Sequence, residues 1–187
     1  MNGLLLIDKD EGMTSFDVIR RLRRMAGTKK IGHAGTLDPD ATGLLPLFIG
    51  NATRLISYVD LEPKVYEFDL LLGEETDTCD ASGKTVAASP YHHVSKDALG
   101  EVISTDYIGE IEQVPPAYSA IRIQGKRAYE RARKGESFEV PSRTIRIDSL
   151  SVLAFDLPLV SLRVQCGSGT YVRSLSCLLY TSDAADE

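Results

Sequence analysis

The 187-residue chain is 43% hydrophobic and 26% charged, the composition of a soluble globular protein with one sizeable core. No apolar run approaches the roughly 18 residues that a membrane-spanning helix needs, and Leu4–Asp10 is too short and too acidic for a secretory signal. Cys79, Cys166 and Cys177 form no Cys-x-x-Cys pair and the three histidines have no metal-ligand spacing, so reduced cytoplasmic thiols and no metal are expected.

The net charge of −6 speaks against a nucleic-acid partner until its distribution is considered. Arg20, Arg21, Arg23, Arg24, Lys29 and Lys30 occur with no acid among them, and Arg122, Lys126, Arg127, Arg131, Arg133 and Lys134 enclose only Glu130. The acids gather elsewhere, notably Glu67, Asp69, Glu74, Glu75, Asp77 and Asp80. Each basic cluster alone reads as a solvated helix face; together they allow a basic surface on an acidic protein.

In chain order, Gly3–Ile7 is an apolar strand and Asp8–Gly12 a polar turn. Thr14-Ser15-Phe16-Asp17 predicts a capping box, and the helix it opens spaces Phe16, Ile19, Leu22 and Met25 by three, with its arginines outward. The glycine-rich segment 32–43 follows. Leu44–Ile49 is an apolar strand whose Pro46 suggests an edge or a bulge, and Asn51 caps a short helix through Tyr58. Val65–Leu72 alternates strictly: Tyr66, Phe68, Leu70 and Leu72 share one face, with Glu67 and Asp69 on the other. Spacing alone makes Tyr66 a tyrosine at the rim of a core, its hydroxyl free to face a cleft. His92-His93 lies in a surface loop, Ser95 caps a helix through Ile103, and Tyr107–Gln113 returns as a strand. A strand through Ile123, a turn at Gln124-Gly125 and a basic helix from Lys126 to Lys134 come next, with Tyr129 among the bases. Residues 138–156 and 159–166 are strands, and Gly167-Ser168-Gly169 turns into a helix near Thr170. The absence of a regular βαβ rhythm predicts an α+β fold with a mixed, mainly antiparallel sheet core flanked by helices.

Gly32-His33-Ala34-Gly35-Thr36-Leu37-Asp38-Pro39-Asp40-Ala41-Thr42-Gly43 concentrates an imidazole, two carboxylates and three glycines. Such residues are ordinary turn formers, but a carboxylate on so constrained a loop can also be aimed at a substrate. With Gly3–Gly12, Lys64–Asp80, Pro115–Arg133 and Gly167–Arg173, the loop resembles the B-type tRNA pseudouridine synthases over nearly all of residues 1–176. The resemblance implies the pseudouridine synthase fold, a cofactor-free isomerisation of uridine-55 in the tRNA T-loop, and a cytoplasmic enzyme acting as a monomer. By position it makes Asp38 the attacking carboxylate, Tyr66 the tyrosine that stacks on the flipped base, Arg173 the partner of Asp38, and Tyr171 a second active-site tyrosine. It puts His33, Gly35, Thr36, Lys9, Arg20, Lys30, Arg122, Lys126 and Arg127 on the RNA, with residues 115–143 as an RNA-gripping thumb. A guide-RNA-dependent relative is disfavoured by the short segment ahead of Gly3.

The family pattern implies a continuation past Ser176, so residues 1–176 are expected to be a catalytic domain incomplete at its C-terminus. Residues 177–187 read as a non-native tail of the kind a sequencing adapter encodes, and three of the acids lie there. Two other readings stay open. The chain could be a catalytically poor RNA-binding fragment, or Asp38-Pro39-Asp40-Ala41-Thr42 could be the Asp-x-Asp-x-Thr signature of an aspartyl-phosphate phosphatase, although no buried strand leads straight into it.

Overall fold

A computed structural model describes residues 1–183, which fall into two compact units that divide between Leu61 and Glu62. In the first unit, β1 (Gly3–Lys9), β2 (Ile31–His33) and β3 (Gly43–Ile49) form an antiparallel sheet in the order β1-β3-β2. Helix α1 (Ser15–Ala26) begins with the predicted capping box: the Asp17 amide donates to Thr14 Oγ1 at 3.1 Å and the Thr14 amide to Asp17 Oδ2 at 3.1 Å. It ends at Gly27, whose φ of 62° is the left-handed conformation a helix C-terminus favours.

The buried face of α1 differs from the one read by three-residue spacing. Ser15 and Ile19 are buried, and Val18, Leu22 and Ala26 pack on Ile31, Leu45, Leu47 and Ile49, whereas Phe16 and Met25 are exposed. A strict step of three loses about 60° of helix rotation each time, so Phe16 and Met25 fall on opposite sides of the stripe. Arg20 and Arg23 lie beside the exposed Phe16 ring, their guanidinium carbons 5.6 and 5.5 Å from its centre.

Pro46 lies in the central strand, not at an edge. Its carbonyl accepts from the Ala34 amide at 3.1 Å, on the β2 side but past the end of β2. In an antiparallel ladder a residue's N and C=O point the same way, so the N–H that proline lacks removes no β1–β3 bond. Asn51 does not cap a helix: Gly50–Leu55 is a 3-10 segment with no side-chain cap, and Asn51 Oδ1 accepts from Lys30 Nζ at 2.8 Å.

The second unit opens with β4 (Lys64–Leu71), a small hairpin of β5 (Glu74–Thr76) and β6 (Thr85–Ala88), and α2 (Lys96–Asp106), capped as expected by Ser95. Strand β7 (Gly109–Gln113) leads to a second hairpin, β8 (Arg122–Ile123) with β9 (Lys126–Arg127), and to helix α3 (Ala128–Ala132). Strands β10 (Arg143–Asp156) and β11 (Leu159–Cys166) precede α4 (Val172–Asp183). The main sheet runs β4-β11-β10-β7, and its ladders are all antiparallel. Val160, Leu162, Val164 and Cys166 of β11 are fully buried and pack with Leu70, Leu72, Ile145 and Ile147, as the alternation in β4 and β11 predicts.

Two sequence expectations are revised here. Lys126 and Arg127 belong to a strand, because Gln124 and Gly125, at φ of 51° and 82°, form a tight hairpin turn that sends the chain back on itself. Residues 138–142 are irregular, and β10 starts only at Arg143, where pairing with Gln113 begins. Helix α4 runs to Asp183, into the segment read as a non-native tail, with Leu179 fully buried in the core. Residues 184–187 of that tail lie outside the described residues.

Candidate active site

In the first unit the loop from Gly32 to Gly43 is tied down on both sides of Asp38. Before it, the buried Ser15 hydroxyl donates to the Leu37 carbonyl at 3.1 Å and accepts from the Leu37 amide at 3.0 Å, while the Leu37 side chain packs on the core. After it, the Pro39 carbonyl accepts from the Gly12 amide at 2.9 Å and from Lys9 Nζ at 3.1 Å. Asp38 itself is exposed at the tip. Four hydrogen bonds within one residue on either side thus fix the backbone that carries it.

Lys9, expected on the RNA, has another task. It is 1% exposed, and its ammonium donates to the carbonyls of Asp10 at 2.9 Å, Met13 at 2.8 Å and Pro39 at 3.1 Å. All three of its N–H donors are used, which satisfies a buried charge and leaves none for a phosphate. His33 donates from Nδ1 to the Gly35 carbonyl, since a carbonyl oxygen can only accept. Gly35, at φ 101°, occupies backbone space that side chains disfavour, and Thr36 is exposed beside it. Arg20 is exposed and bridges Asp17 at 3.1 Å; Lys30 is exposed and holds Asn51.

In the second unit Tyr66 projects from β4, half-buried against the core and paired in register with Val164. Tyr171 and Arg173 stand at the start of α4. Arg173 Nη1 donates to the Thr78 carbonyl at 3.2 Å and to Asp80 Oδ2 at 3.3 Å, and Nη2 donates to the Tyr118 carbonyl at 3.1 Å. Asp80 is prepared for this by its own turn: Oδ1 accepts from Thr78 Oγ1 at 2.8 Å, from the Ser82 amide at 3.0 Å and from the Ser82 hydroxyl. Partial burial pushes the Asp80 carboxyl up, but the Ser82 and Thr78 hydrogen bonds and the Arg173 charge outweigh it and hold the group below the usual carboxylate range. Asp80 was legible in the sequence only as one of a run of acids, and Ser15 only as a helix-start residue.

Arg122, Lys126 and Arg127 are all exposed on the β8–β9 hairpin, where Arg122 faces Arg127 across the ladder. Arg127 and Arg133 flank the Tyr129 ring at 5.8 and 5.5 Å, while Arg131 nearby is taken by Glu136. Cations grouped around an aromatic ring suit an RNA backbone and an unstacked base. A cavity of about 310 Å³ in the same unit is lined by Asp69, Glu74, Glu75 and Asp80 with Cys79 and Cys177. Its acidic wall repels phosphate, and it meets the candidate residues only at Asp80.

Residues 23–172 match the model of the TruB family pseudouridylate synthase N-terminal domain. The chain belongs to that family. Curated relatives are similar over most of this TruB-family chain: tRNA pseudouridine synthase B of Clostridium kluyveri is 47% identical over 175 residues, covering 94% of this chain and 60% of that one. The enzyme of the same name from Streptococcus pneumoniae serotype 4 is 42% identical over 181 residues, covering 94% and 62%. The chain therefore spans about 60% of the length of the curated relatives it matches. Among solved structures, a Cbf5-Nop10-Gar1 complex matches with a TM-score of 0.68 and 27% identity over 96% of this chain and 44% of that one. An H/ACA RNP bound to a substrate RNA containing 2′-deoxyuridine matches with a TM-score of 0.62 and 25% identity, over 96% and 42%. These likenesses agree with the α+β, antiparallel architecture expected from the sequence, and they displace the phosphatase reading of the Asp38 loop.

Proposed function

We propose that this chain carries the catalytic domain of an RNA-modifying isomerase that converts uridine to pseudouridine in the T-loop of tRNA. The observation that carries the proposal is the bracketing of Asp38: Ser15 holds the residue before it, Lys9 and Gly12 hold the residue after it, and the carboxylate is left at the tip. A nucleophile fixed in this way loses little freedom on reaching its reacting atom.

In this reading the target base leaves its stack and enters a pocket where Tyr66 provides the aromatic platform. Asp38 attacks the anomeric carbon as the bond from that carbon to N1 breaks; the freed uracil turns, and its C5 then bonds to that carbon as the bond to the Asp38 carboxylate breaks and frees the enzyme. The C5 hydrogen departs as a proton, with Tyr66 assisting, and N1 gains one. Substrate and product have the same composition, so the balance requires no oxidant, reductant or added water. Arg173 and Tyr171 act on the extruded nucleotide from the start of α4, and His33 contacts the RNA near it. Arg122, Lys126 and Arg127 grip the backbone through charge, joined by Arg20 and Lys30.

The test is product analysis. A T-arm hairpin incubated with the chain and digested to nucleosides should yield pseudouridine at the one T-loop position. Tight hairpin binding with no pseudouridine would favour a binding fragment over a working enzyme.

A further inference from the structure

We infer that Gln113 and Arg143, register partners across β7 and β10, are positioning residues for Tyr171, one holding its backbone and the other its ring. This rests on the reading of Tyr171 as a residue of the pocket.

Gln113 is the last residue of β7 and has no exposed surface. Its Oε1 accepts from the Tyr171 amide at 2.8 Å, and its Nε2 donates to the Tyr171 carbonyl at 3.0 Å. A side-chain amide that meets both backbone groups of one residue acts as a further strand partner for it, and does so at the point where α4 must begin. Directly after Gln113, the Val114 carbonyl accepts from the Ser174 hydroxyl at 2.8 Å, so the first turn of α4 is anchored twice to the same segment.

Opposite Gln113 in the ladder, Arg143 places its guanidinium carbon 4.6 Å from the centre of the Tyr171 ring. Its Nε and Nη2 are buried and meet no hydrogen-bond acceptor among the described residues. Buried idle donors on a charged group are unfavourable, so a stability role alone does not account for an arginine here. What the group does contact is π surface and close backbone. A Cβ at Gly169, which lies at φ 92°, would stand 3.5 Å from Nη1, so the turn before α4 passes directly beside the guanidinium. A planar cation stacked on a ring restricts its tilt in a way that a flexible ammonium does not. The cross-strand pair thus sets both the position and the plane of Tyr171, and through the same helix start it sets Arg173 two residues on.

The test uses the whole chain, isotopically labelled, with Gln113→Glu, Arg143→Leu and Arg143→Lys. Gln113→Glu keeps an acceptor for the Tyr171 amide and loses the donor to its carbonyl; exchange of that amide should rise about tenfold, a local opening and not global unfolding. Arg143→Leu should move the Tyr171 ring resonances while the melting temperature holds or rises, and Arg143→Lys should not restore them. On a T-arm hairpin, kcat should fall about tenfold in Gln113→Glu and Arg143→Leu, with KM within about twofold of the parent. Folded variants with unchanged Tyr171 exchange, ring resonances and kcat would overturn the inference. So would a fall confined to KM, which would make Arg143 a substrate contact. If the parent chain shows no Asp38-dependent turnover, the proposed function fails, and the exchange and ring measurements still decide the positioning role.

Discussion

Asp80 and Arg173 meet through one carboxylate oxygen: Oδ2 takes the arginine's Nη1 at 3.3 Å, while Thr78 and Ser82 fill Oδ1. The pair is mostly withdrawn from solvent, with the arginine side chain 16% and the aspartate 28% exposed, and the guanidinium also donates to the carbonyls of Thr78 and Tyr118. Asp80→Asn keeps the shape and removes the charge. It should cost about 1 kcal/mol of stability, between the values for surface and buried pairs, and should lower kcat at least about tenfold by loosening Arg173. Thermal melts and turnover on a T-arm hairpin check both.

The same carboxylate gives a pH dependence of known sign. Asp80 titrates below its ordinary value when folded, so its contribution is complete above the unfolded pKa of about 4 and is lost as pH falls through the lower folded value. The melting-temperature gap between the parent and Asp80→Asn should therefore be constant from pH 7 to about 5 and shrink below about 4. A gap that widens on acidification would contradict the assignment.

Lys9→Met should behave as a structural lesion and not as the removal of an RNA ligand. Three carbonyls lose a buried charged donor, at a cost of about 2–4 kcal/mol, and the segment after Asp38 loses one of its two ties. Stability and kcat should fall while the salt dependence of hairpin binding keeps its slope. A slope smaller by about one would restore Lys9 to the RNA interface.

Arg122→Ala and Arg127→Ala should do the reverse. Both side chains are exposed on the β8–β9 hairpin, so melting should barely change, while hairpin affinity weakens and the salt slope drops by about one for each phosphate left without its cation. Equal weakening against unrelated RNA hairpins is expected, since phosphate binding carries no sequence information.

Much of the fold was legible because it follows local rules. The Thr14–Asp17 capping box, the alternation of β4 and β11 and the Ser95 cap each depend on a few neighbouring residues, and each appears as read. The errors came where a distant segment decides. Pro46 is tolerated in a central strand because Ala34, outside the neighbouring ladder, lies opposite it. Lys126 and Arg127 are strand residues because the turn at Gln124-Gly125 pairs them with Arg122 and Ile123. The Asp38 loop stood out by composition, but its anchors did not. Lys9 is 30 residues from Pro39, and Ser15 is 22 from Leu37, and no spacing rule links such pairs. Gln113, 58 residues from Tyr171, was likewise invisible as anything but a strand end.

The most direct test of Asp38 as nucleophile is release of tritium from C5-labelled uridine in a T-arm hairpin, comparing the chain with Asp38→Asn. Forming the new bond at C5 must expel that hydrogen, so the parent should release one tritium per product formed. Asp38→Asn should release none at matched, saturating binding. Equal release from both, or none from the parent while it binds the hairpin, would contradict the proposed chemistry.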